Sequence, residues 1–151
     1  MAHFLTTISL NRLEHLCNII PSLLLQIGEE SFSAKPGPDK WSKKQILGHL
    51  IDSATNNHHK WIRGQFEDKP FIRYDQDQWN TAGRYNQIPA AQLVAFWSVY
   101  NLQIVSLIKL IPRDVLQRLC FNGTEDVTLE WLFNDYVVHL EHHMRNIVTY
   151  D

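Results

Sequence analysis

Four long stretches of this chain carry apolar residues at three-and-four spacing, separated by polar, proline-containing or glycine-containing joints. That period belongs to an α-helix with one buried face. From about Ile8 to Ile27 the stripe is Leu10, Leu13, Leu16, Cys17, Ile20, Leu23, Leu24 and Ile27. Pro21 lies within it; a proline there removes a helical N–H and crowds the preceding turn, which predicts a kink or break near Ile20. Ser33 to Asp39, with Pro36, Gly37 and Pro38, reads as a connecting loop.

The second stretch has the clearest start. Ser42 followed by Gln45 is a capping box, with Trp41 and Ile46 placed for a hydrophobic staple. Ile46, Leu47, Leu50, Ile51 and Ala54 mark its buried stripe, and the helix is expected to run to about Phe66. Residues 67–88 are polar and aromatic; a connection this long has a role or short structure of its own, and it is expected to cap one end of the bundle. Pro89 suits the first turn of a third helix with Leu93, Val94, Trp97, Asn101, Ile104, Val105, Ile108 and Ile111 inward, stopped by Pro112. Asp114 to Val127 is less legible, with a short turn or helix as the expectation. The last helix begins near Thr128 as N-cap, with Glu130 set against the helix dipole and a stripe of Leu132, Phe133, Tyr136, Val137, Leu140, Met144 and Ile147. No run alternates as a strand does, so the expected fold is all-α, a four-helix bundle forming a single domain over residues 1–151.

Composition narrows the function. The formal net charge is -2, with no cluster of Lys and Arg, which argues against a nucleic-acid-binding surface. The N-terminus lacks the pattern of a signal peptide, and no apolar run reads as long enough to span a bilayer, so the expectation is a cytoplasmic protein without a membrane partner. Cys17 and Cys120 read as reduced core residues.

Within the last helix lies His139-Leu-Glu-His142-His143. Residues four apart share a helix face, so His139 and His143 can aim two imidazoles at one point. His49, within the buried stripe of the second helix, is a candidate third ligand for a metal site with an open position. On spacing alone these histidines are either ligands or boundary residues of the core. His142 is turned about 100° from His143 and cannot share the metal; His3, His15, His58 and His59 read as surface or boundary residues, and Glu141 as solvated. Asp52, one turn after His49, is either a solvated carboxylate or a group that orients an imidazole or a bound water.

The segment Lys40-Trp-Ser-Lys-Lys-Gln-Ile-Leu-Gly-His49-Leu-Ile-Asp-Ser53 resembles the Trp-Ser, His and Asp-Ser pattern of the DinB superfamily, especially its bacillithiol transferase-like branch. His139-Leu-Glu-His-His143-Met-Arg-Asn-Ile147 is similar to that superfamily's final-helix motif, and Tyr74-Asp-Gln-Asp-Gln78-Trp79 to a central segment of the same branch. The resemblance implies a four-helix bundle, often dimeric, with one divalent ion, nickel or zinc, held by His49, His139 and His143. It further implies a thiol S-transferase that activates a low-molecular-weight thiol toward an electrophile, with Asp52 in support and Tyr74, Gln78 and Trp79 in the pocket wall. The alternatives are a metal-dependent hydrolase, using a bound hydroxide on a hydrolysable small molecule, and a non-catalytic metal-binding bundle.

Overall fold

The helix that opens at Ser42 forms as its sequence dictates. In the computed structural model, which describes residues 2–151, Ser42 Oγ accepts from the Gln45 N–H and the Gln45 side chain accepts from the Ser42 N–H. Losing such a cap costs about 1 kcal/mol. In chain order the helices are α1 (Ala2–Leu25), α2 (Glu29–Ser33), α3 (Lys43–Arg63), α4 (Gln76–Gly83), α5 (Ala90–Leu110) and α6 (Leu129–Met144). The long helices α1 and α3 each pack on both α5 and α6. A four-membered ring results, closed around Leu13, Leu47, Trp97 and Phe133, all fully buried.

Pro21 does not break α1, which runs through it to Leu25. The carbonyl that loses its helical partner is that of Cys17, four residues earlier. Ser98 Oγ of α5 donates to it at 3.4 Å, so a bond across the bundle stands in for the one within the helix. At α5, Pro89 is the N-cap and not a first-turn residue. By length and composition α5 could cross a membrane, with a stretch of mean hydropathy 1.5, which corrects the expectation that no run is long enough. Its inward face, including Trp97, Ile104 and Ile108, is nonetheless buried in the bundle, and Asn101 at its centre accepts a hydrogen bond from the Tyr136 hydroxyl at 2.6 Å.

A second correction follows α5. A 3-10 turn at Val115–Gln117 leads into an antiparallel hairpin, β1 (Leu119–Phe121) and β2 (Asp126–Thr128), with Cys120 opposite Val127. Three-residue strands are too short to show alternation, which is why the sequence reading expects no sheet. Gly123, at φ +104°, supplies the backbone conformation the hairpin loop needs. Thr128 then caps α6, its side chain accepting from the Trp131 N–H.

The long segment after α3 has structure of its own. Asp75 caps α4 by accepting from the N–H groups of Asp77 and Gln78, and a 3-10 turn follows at Tyr85–Gln87. The segment folds over the N-terminal part of α3: Asn80 Nδ2 donates to the Gln45 carbonyl at 2.8 Å, and Ser42 Oγ donates to Asn86 Oδ1 at 2.6 Å. Tyr85 fills the space above Gly48, where a Cβ would meet its ring at 2.1 Å. The end of the bundle so covered is the end that holds His49.

Candidate metal centre

His49 sits in the second turn of α3, between Leu47 and Leu50, and is 1% exposed. Among the described residues, neither of its ring nitrogens has a hydrogen-bond partner. A buried imidazole left this way costs about 1–3 kcal/mol per unsatisfied group, unless something absent from the protein itself meets it. The neighbours supply the direction. His139 and His143, half-buried on α6, bring their Nε2 atoms to 3.1 Å of each other. The His49 ring centroid lies 5.4 Å from that of His139 and 4.7 Å from that of His143.

One nitrogen from each of the three rings lies within 4.8 Å of the other two. Tetrahedral coordination at zinc–nitrogen distances of ~2.0–2.1 Å puts ligand nitrogens about 3.3 Å apart, so the His139–His143 pair is already at ligand spacing. The electrostatics agree. Burial, with help from the neighbouring imidazoles, pushes the His49 pKa down to about 4. Burial also lowers those of His139, where Asp135 partly opposes it, and of His143. All three are therefore neutral at pH 7, the form that binds a metal ion. The orphaned nitrogens, the spacing and the protonation state fit a divalent ion.

The other predicted residues are distributed around this cluster. His142 is exposed, its ring 5.2 Å from that of His143. Glu141 is not solvated as expected: it accepts from Arg12, Arg145 and the Tyr150 hydroxyl, a half-buried network that ties α1 to the C-terminal segment. Asp52 is 3% exposed. The Tyr85 hydroxyl donates to its Oδ1, its Oδ2 has no partner, and burial pushes its pKa up to about 6 against the Tyr85 hydrogen bond. This rules out the solvated reading of Asp52.

Three clefts open near the centre, and they separate the expected pocket residues. Tyr74 shares a cleft of about 310 Å³ with His139. Gln78 and Trp79 share another, of about 480 Å³, with Asp52 and Tyr85. His143 borders a third together with Trp41 and Ile46. Tyr74 is half-buried and pushed up to about 12 by burial and by Asp52, while Gln78 and Trp79 are exposed.

Sequence reasoning missed Tyr85, which holds Asp52, and the contact of the Trp41 ring with His49 at 5.1 Å between centroids. Gly48 carried the signal for Tyr85, because an isolated glycine inside a helix usually marks a close approach.

Comparison with known proteins places the fold and the family. A protein of Oceanobacillus iheyensis named "Putative metal-dependent hydrolase OB0782" is 21% identical over 142 residues, covering 93% of this chain and 82% of that protein. The solved structure of YfiT from Bacillus subtilis, described as "a probable metal-dependent hydrolase with an unusual four-helix bundle topology", matches with a TM-score of 0.77 at 21% identity. That match covers 91% of this chain and 83% of YfiT. The DinB-like protein YjoA of Bacillus subtilis matches with a TM-score of 0.64 at 15% identity, over 92% of this chain and 86% of that one. These two likenesses establish the fold. The DinB superfamily model matches residues 12–147, nearly the whole bundle, and this chain belongs to that superfamily.

Proposed function

We propose that this protein is a metal-dependent hydrolase acting on a small molecule, with His49, His139 and His143 as ligands of one divalent ion, nickel or zinc. The convergence of three neutral imidazoles at a buried point beside open clefts carries this reading. Structural zinc sites are usually closed by four protein ligands. Among the described residues the cluster has three, the arrangement of a site with room for substrate or water. When bound, such an ion lowers the pKa of a coordinated water or thiol and polarises a carbonyl oxygen.

The chain's own residues supply orientation. His49 is held by burial and by the Trp41 ring, so α3 presents its imidazole toward His139 and His143. Asp52 is a supporting group one turn further along α3, with one oxygen tied by Tyr85 and the other able to hold a proton near neutral pH. Tyr74 forms part of the wall beside His139, and Gln78 and Trp79 wall the neighbouring cleft.

The thiol S-transferase reading uses the same three ligands, with a low-molecular-weight thiol in place of water. Two relatives described as metal-dependent hydrolases favour hydrolysis. Zinc- or nickel-loaded protein assayed on activated esters and amides, with and without added thiols and an electrophile, separates the two. Hydrolysis that needs the ion, needs no thiol and disappears in His139→Ala is the expected result. Turnover only when thiol and electrophile are both present would replace hydrolase by transferase.

A further inference from the structure

The cleft beside His139 runs along the α3–α6 groove. From α3 it is bordered by Ser53, Asn57 and Lys60, and from α6 by Asp135 and His139. Seven residues of helix separate Ser53 from Lys60, a rise of about 10 Å. α3 and α6 run antiparallel here, since His49 meets His143 at one end while Trp61 meets Phe133 at the other. Lys60 therefore marks the end of the cleft far from the histidines. Among the described residues none forms a hydrogen bond or ion pair with its ammonium; Asp135, which shares the cleft and interacts with it electrostatically, stays beyond ion-pair distance. Burial lowers the Lys60 pKa, with Cys120 and Asp135 opposing the shift, so the ammonium is partly desolvated and open to an anionic ligand.

A half-buried, unpaired cation at one end of a polar cleft, with a candidate metal ligand at the other, defines what fits. We propose that the cleft binds an elongated small molecule carrying a carboxylate at one end, with Lys60 taking the carboxylate and His139 marking the end that reacts. Between them Asn57 Nδ2 donates to the Ser53 carbonyl and hydroxyl, which leaves the Asn57 Oδ1 to meet a polar middle, so the substrate class is a dipeptide-sized, singly carboxylated ester or amide. Asp135 sets the sign of selectivity: it disfavours a second anionic group in the middle of the ligand. The reacting end of this assignment rests on the three-histidine reading, whereas the Lys60 contact does not.

Calorimetric titration with octanedioate and octanoate, on zinc-loaded and zinc-free protein, tests both parts. The zinc-loaded protein is expected to bind octanedioate at least about tenfold more tightly than octanoate, the value of one added charge-assisted hydrogen bond. Lys60→Met should remove that advantage, Lys60→Arg restore it, and Asp135→Asn tighten binding, a gain that a folding defect would not produce. Unchanged octanedioate affinity in Lys60→Met, or weaker binding in Asp135→Asn, overturns the proposal. Failure of the metal reading looks different: zinc then alters neither affinity, while Lys60→Met still weakens both ligands in zinc-free protein. If zinc tightens both ligands equally in wild type and Lys60→Met, the metal reading stands and the carboxylate assignment falls.

Discussion

At one end of the α3–α6 interface Trp61 meets Phe133 and Tyr136 edge to face, with centroids 5.9 and 5.2 Å apart. At the other end His49 meets His139 and His143 in the same edge-to-face manner, at 5.4 and 4.7 Å. The shapes are alike and the chemistry is not. The aromatic end presents C–H edges to ring faces, and its hydroxyl, on Tyr136, is satisfied by Asn101; one orphan remains there, the Trp61 indole N–H. The histidine end puts basic nitrogens where the other puts carbon, and at its most buried member both nitrogens are unmatched. Ring packing alone thus does not identify a site. The proposed site rests instead on the unpartnered nitrogens of His49 beside two further imidazoles.

The two ends are expected to respond oppositely to substitution. Phe133→Ala, at the fully buried aromatic end, should cost about 3–5 kcal/mol in urea unfolding; a loss below about 1 kcal/mol would mean the aromatic end is not the stabilising one. Gly48→Ala pushes a Cβ into the Tyr85 ring and should cost about 1–3 kcal/mol. In a Tyr85→Ala background the same change should be harmless, because alanine is then the better helix former. His49→Leu keeps the volume and removes two unsatisfied nitrogens, so in the presence of a chelator it should raise stability by about 1 kcal/mol. A clear destabilisation in that experiment would show that the histidine end is ordinary core.

The two ends also differ in their pH dependence. The folded-state pKa of His49, about 4, lies below its ordinary value of 6.5. The unfolded chain then binds more protons between these values, and stability falls as pH drops from 6.5 toward 4. Asp52 has the opposite sign: its folded value of about 6 lies above 3.8, so its contribution is present at low pH and is lost as pH rises through 6. Asp52→Asn should remove that second limb. Chemical denaturation of the metal-free proteins from pH 4 to 8 should show the variant gaining on wild type as pH rises; a difference that is flat with pH would place Asp52 in contact with water.

Much of this was legible in the sequence because the helix is a local object. Three-and-four spacing exposes the buried faces, the Ser42–Gln45 box fixes where α3 begins, and the four-residue step from His139 to His143 fixes their shared face. Hidden features depend on contacts between distant parts of the chain. The Ser98 hydroxyl that carries α1 through Pro21 lies 81 residues from its acceptor at Cys17. Tyr85 reaches Asp52 across 33 residues, and the hairpin strands are too short to show a period. Splitting Tyr74 from Gln78 and Trp79 into separate clefts required α4, whose first turn begins between them.

The proposed metal site joins His49 of α3 to His139 and His143 of α6. X-ray absorption spectroscopy of tag-free protein loaded with one equivalent of zinc or nickel measures that shell directly. Three imidazole nitrogens per metal at about 2.0–2.1 Å, reduced to two in His49→Leu, is the predicted result; a shell without histidine, or one unchanged by His49→Leu, would contradict it.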